Sequence, residues 1–93
     1  MRAIVIGAGI VGFDVAKLLS QADHDVVVVD KDADALLHVR EKLDVMTVQG
    51  NGTSTTILEE AGIRNARILV AVTAIDEVNI IACMLGDRLG VET

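Results

Sequence analysis

The residues of this chain best placed to do chemistry are glycines. Gly7-Ala8-Gly9-Ile10-Val11-Gly12 has the G-x-G-x-x-G spacing and directly follows a short apolar stretch, Met1 to Ile6. Glycine is common, so the spacing alone is a weak signal. Its setting is more demanding, because the motif follows a strand pattern and opens a helix pattern within a βαβ unit. Gly7 permits the tight turn, Gly9 lets the backbone approach a pyrophosphate, and Gly12 lets the helix lie close to the sheet. The amides from Gly9 to Val11 then face outward at the positive end of a helix dipole, an arrangement that holds phosphate groups. The competing reading, a plain strand-to-helix turn, explains less of this context.

A carboxylate completes the pattern. Asp30 ends a valine run about twenty residues after Gly7, where the dinucleotide-binding fold expects an acid that accepts hydrogen bonds from the adenosine ribose. A carboxylate there repels a 2′-phosphate and favours NAD over NADP, and the neighbouring Lys31 weakens that exclusion. Helix capping is a poorer role for Asp30, since Asp32 is better placed for it. Gly50-Asn51-Gly52 follows a third strand pattern, where Asn51 can meet a base edge and Gly52 can leave room for it. A helix-entry turn capped by Asn51 or Thr53 fits equally well. Thr73 ends a fourth strand on the same rim and suits either a ligand contact or a helix cap. Asp76 and Glu77 fit ordinary dipole compensation, and Asn79 reads as a solvated residue.

These residues need elements to hold them. Met1 to Ile6, Val26 to Val29, Val45 to Val48 and Arg67 to Val72 read as strands; the third, with Thr47 and Gln49, reads as a sheet edge. Between them lie helical stripes: Val11, Val15, Leu18, Leu19 and Ala22; Leu36, Val39 and Leu43, capped by Asp32; Ile57, Leu58 and Ala61, ended by Gly62; and Val78, Ile81, Ala82, Leu85 and Leu89. The order βαβαβαβα demands a parallel sheet with right-handed crossovers. The expected fold is α/β, a Rossmann-type parallel sheet with flanking helices, forming one domain over residues 1–93. The chain is expected to be truncated after the fourth βα unit, with Val91-Glu92-Thr93 approaching a fifth strand. The fourth strand would then be an open apolar edge that invites pairing, so self-association through that edge or the last helix is expected.

Composition narrows the function. The chain has 93 residues, is 52% apolar and 24% charged, and carries a net charge of −6. Its scattered basic residues and single aromatic, Phe13, argue against nucleic acid, which is bound by clustered Lys and Arg and by stacking platforms. No apolar run reaches the ~20 residues of a membrane helix. Cys83 is alone and sits in an apolar helical pattern, so it reads as packing. His24 falls on the opposite rim and His38 among charges mid-helix. With no base beside a nucleophile and no set of metal ligands, the reading is a nucleotide site without catalytic machinery, not an enzyme.

The same residues resemble the N-terminal nucleotide-binding domain of TrkA and related potassium-transport regulators, the RCK or KTN family. The resemblance is carried by the glycine motif, Val28-Val29-Asp30-Lys31-Asp32, Val48-Gln49-Gly50-Asn51-Gly52-Thr53, Leu58-Glu59-Glu60-Ala61-Gly62-Ile63, Val70-Ala71-Val72-Thr73 and Asp76-Glu77-Val78-Asn79. It implies a dimeric or larger cytoplasmic regulatory subunit, held at the inner face of the membrane by a K+ transporter or channel that it gates. Its ligand would be NAD(H) first, with ATP, ADP or AMP as alternatives. The implied contacts are Gly7, Ala8, Gly9, Ile10, Val11, Asp30, Asn51, Gly52 and Thr73, with Gly12 and Lys31 beside them. Relatives often carry a polar or basic residue where this chain has Ile10, and Asp where it has Asn51, so a phosphate contact and a charge near the adenine are lost here. Two other readings stand beside this one: the cofactor half of an NAD-dependent oxidoreductase, and an oligomerisation module.

Overall fold

The computed structural model describes residues 1–93. Four strands, β1 (Arg2–Ile6), β2 (Asp25–Asp30), β3 (Met46–Gln49) and β4 (Ala66–Ala71), form one sheet in the order β3-β2-β1-β4. Every pairing is parallel. Four helices connect or follow them: α1 (Ile10–Gln21), α2 (Ala33–Lys42), α3 (Thr55–Glu60) and α4 (Asp76–Arg88). One 3₁₀ turn, Ile63–Asn65, enters β4; it has no counterpart in the sequence pattern.

The aliphatic strands divide their side chains between two cores, as a period of two requires. Ile4, Ile6, Val27 and Val29 face one side with Leu58 of α3, Ile63 of the 3₁₀ turn and Ala82 of α4. Val5, Val26 and Val28 face the other side with Ala16, Leu36 and Val39 from α1 and α2. A strand covered on both faces must be apolar at every position, which is why β1 and β2 read as unbroken runs. The more polar β3 does lie at the edge.

Two helices bury different stripes from those the apolar spacing predicts. In α1 the buried residues are Gly12 and Ala16, flanked by Val15 and Leu19, whereas Val11 and Leu18 are exposed. In α4 they are Ala82 and Gly86, flanked by Leu85 and Leu89, and Ile81 is exposed together with Ile80 and Met84. The cause is the same in both: the smallest side chains give the closest approach to the sheet, so they form the contact line and larger neighbours turn outward. Cys83, expected to pack, is also exposed.

The fourth strand is not a bare edge. Thr93 N–H donates to the Arg67 carbonyl (3.1 Å), and Leu69 N–H donates to the Thr93 carbonyl (2.7 Å). Val91 is buried beside them. The last residues therefore begin to pair with β4 on the side away from β1, which covers the first half of that edge.

Candidate functional site

The chain leaves β1 toward β2 and β3, then returns to place β4 on the other side of β1. This change of direction opens a crevice at the carboxyl ends of the strands, the usual ligand position in open α/β sheets. The glycine motif forms its near wall. Gly7 has φ +115°, and a Cβ there would sit 2.9 Å from the Val72 carbonyl oxygen. A Cβ at Gly12 would overlap the Gly7 carbonyl, so α1 can lie this close only with glycine at that position. Above Gly9 there is open space within 4 Å.

The start of α1 is left electrically unfinished. Its first intrahelical bond runs from Phe13 N–H to the Gly9 carbonyl (2.8 Å), so the amides before Phe13 have no helical acceptor. No side chain caps this end, and no acid lies in its first turn. The other helices are compensated: Asp32 caps α2, Ser54 caps α3, and Asp76 and Glu77 stand in the first turn of α4. Ser54 thus takes the cap that the sequence offered to Asn51 or Thr53.

Asp30 stands directly against the glycine turn. Its Oδ2 accepts from Ala8 N–H at 2.7 Å and its Oδ1 from Asp32 N–H at 2.8 Å. A carboxylate has about four acceptor positions, so both oxygens keep capacity for a ligand. Ala8 is different from the other motif residues: its N–H is spent on Asp30 and its methyl is buried in the core. It supports the site from behind and offers no free donor.

These pieces enclose a cleft of about 290 Å³. Gly7, Gly9, Asp30, Lys31, Asn51, Gly52 and Thr73, all expected from the sequence, line it. Ala8, Ile10, Val11 and Gly12 do not. Ile10 is 85% exposed, Val11 is exposed, and Gly12 is buried against Gly7; only the backbone of this turn is available to a ligand. The cleft adds an apolar floor and wall from Ile6, Val29, Val72, Ile75 and Val78. A neighbouring groove of about 480 Å³ between the starts of α1 and α2 is lined by Asp14, Asp32 and Asp34, charges that repel phosphate.

The loop after β3 is held by its own side chains. Asn51 Oδ1 accepts from Thr53 N–H (2.9 Å) and from the Thr53 hydroxyl (2.8 Å). Gly52 is packed over Ile6, whose Cγ2 a Cβ there would strike, so its lack of a side chain serves packing as well as access. On the opposite wall, Asn79 holds Thr73. Its Oδ1 accepts from Thr73 N–H (2.9 Å) and is 2.7 Å from the hydroxyl, while its Nδ2 donates to the Thr73 carbonyl (3.0 Å). Thr73 therefore does not cap α4; Ile75 occupies that position. The sequence alone predicts a solvated Asn79, and the structure instead places it against Thr73. No periodic rule links it to Thr73, because the pair meets across an irregular turn.

Comparison with known proteins follows the same line. Residues 3–92 match the family model described as the TrkA-N domain. The chain is 54% identical over 84 residues to the Trk system potassium uptake protein TrkA homolog 2 of Methanosarcina mazei, covering 90% of this chain and 18% of that protein. It is 44% identical over 89 residues to the Trk system potassium uptake protein TrkA of Halomonas elongata, covering 96% of this chain and 20% of that one. The chain thus spans about a fifth of the length of these curated relatives. Among solved structures, the Shewanella denitrificans Kef CTD in AMP-bound form superposes with a TM-score of 0.79 at 21% identity, over 95% of this chain and 52% of that one.

Proposed function

The chain belongs to the TrkA-N domain family, and from that membership we propose that it is the nucleotide-sensing regulatory domain of a Trk-type potassium uptake system. Its ligand is an adenine nucleotide, NAD(H) first, with ATP, ADP or AMP as alternatives. Nucleotide occupancy gates a membrane K+ translocating partner, at the inner face of which the domain sits from the cytoplasmic side. The observation that carries this reading is the uncapped start of α1, open above Gly9, beside an Asp30 carboxylate that keeps free acceptor positions. Phosphate is attracted by the first and ribose hydroxyls by the second. A solved structure of similar fold is of an AMP-bound protein, which supports an adenine nucleotide as the ligand class.

A regulatory role is favoured over an oxidoreductase half. The titratable side chains on the cleft are Asp30 and Lys31, and Asp30 is already engaged in holding two backbone amides, which suits recognition better than proton transfer. Self-association uses the outward apolar side of α4, where Ile80, Ile81 and Met84 are exposed. Calorimetric titration with NADH, ATP and AMP tests the proposal. Saturable binding of at least one is expected; no adenosine-dependent heat with any of them leaves a plain oligomerisation module.

A further inference from the structure

The loop after β3 holds two hydrogen-bond donors that the chain itself does not use. Gly52 is buried and lines the cleft, yet its N–H meets no acceptor within the chain. The amide stands on the cleft lining with no acceptor of its own, so an acceptor brought into the cleft can take it. Asn51 supplies the second donor. The backbone N–H of Thr53 can only donate, so the Asn51 atom facing it is the oxygen. The Thr53 hydroxyl occupies the same oxygen. What remains free on Asn51 is Nδ2, which donates and cannot accept. Across the cleft, the Thr73 hydroxyl is turned onto Asn79 and Ile75. Lys31 is a further donor; the side-chain acceptors on the lining with unused capacity are the Asp30 carboxylate and, on the opposite wall, one lone pair of the Thr73 hydroxyl.

We infer that Asn51 and Gly52 read a nucleotide base through its acceptor atoms, so that the cleft takes purine nucleotides bearing a 6-oxo group at least as tightly as adenine nucleotides. The inference rests on the nucleotide reading given above. A 6-amino group brought to this rim sets donor against donor, whereas a 6-oxo group accepts from either residue. A carboxylate at position 51 reverses the preference: one oxygen keeps the Thr53 contacts and the other becomes an acceptor for the amino group.

The test compares AMP with inosine 5′-monophosphate, by calorimetric titration into the wild-type chain and Asn51→Asp. In the wild type, the inosine nucleotide is expected to bind with a Kd equal to or below that of AMP. Asn51→Asp should move the ratio toward AMP by about tenfold or more, a change of ~1.4 kcal/mol, with Tm unchanged because the contacts from Thr53 survive. A wild-type preference for AMP of tenfold or more overturns the base assignment and leaves the nucleotide site standing, as does a ratio unmoved by Asn51→Asp. Binding of neither nucleotide removes the nucleotide reading, and this inference with it. Should Asn51→Asp fail to fold, the wild-type ratio alone decides.

Discussion

One carboxylate, Asp30, joins the glycine turn to the tip of β2 while facing the cleft. Its loss removes both a charged acceptor for the ligand and the partner of Ala8 N–H. Asp30→Ala is therefore expected to weaken adenosine-nucleotide binding by about 1.5–3 kcal/mol, the range for hydrogen bonds to charged groups; an unchanged Kd by calorimetry takes Asp30 out of the site. The glycines separate stability from binding. A methyl at Gly9 meets nothing within 4 Å, whereas one at Gly12 overlaps the Gly7 carbonyl. Gly9→Ala should leave the urea midpoint nearly unmoved and reduce nucleotide affinity, because the methyl stands in the phosphate's path. Gly12→Ala should lower the midpoint, since overpacking typically costs ~1–3 kcal/mol of stability or more. Equal midpoints for the two variants would contradict these roles. Asp30 and the glycines were legible because their spacing along the chain is fixed by one βαβ unit. Asn79 was not, since its contact with Thr73 depends on how the β4–α4 turn folds.

Helix starts show how local chemistry and packing share the outcome. Asp32 was legible as the cap of α2 because capping needs only neighbours in sequence, and its Oδ1 accepts from Asp34 N–H at 2.9 Å. Asp32→Ala should cost about 0.5–2 kcal/mol, read as a shift in chemical denaturation midpoint at constant slope. Leu58 of α3, fully buried in the core beneath the sheet, should cost ~2–5 kcal/mol on truncation to Ala; a loss under 1 kcal/mol would mean that α3 does not anchor that core. The buried faces of α1 and α4 were misread from apolar periodicity. Hydrophobicity marks which residues prefer to be covered, but the approach distance between helix and sheet decides which are, and Gly12, Ala16, Ala82 and Gly86 set that distance.

At the scale of the whole molecule, α4 turns Ile80, Ile81 and Met84 outward, 45–63% exposed, as the proposed self-association requires. Replacing Ile80 and Met84 together by Asp should lower the mass seen by light scattering while leaving nucleotide affinity intact; a wild-type chain that stays monomeric at high concentration argues against that interface. The β4 edge behaves otherwise than its apolar run suggested, because Thr93 pairs with its first half while Val91 is buried beside it. Element order, the parallel sheet, the edge position of β3 and the pairing of a glycine turn with Asp30 could all be read from the chain alone. Each depends on the period of apolar residues or on chemistry between close neighbours. The three-dimensional structure decided which helix faces are covered, which polar groups are already partnered, and which donors are left for a ligand. Those depend on distances between segments remote in sequence, and a hydrogen bond formed or missing there changes with shifts of an ångström that no spacing rule encodes.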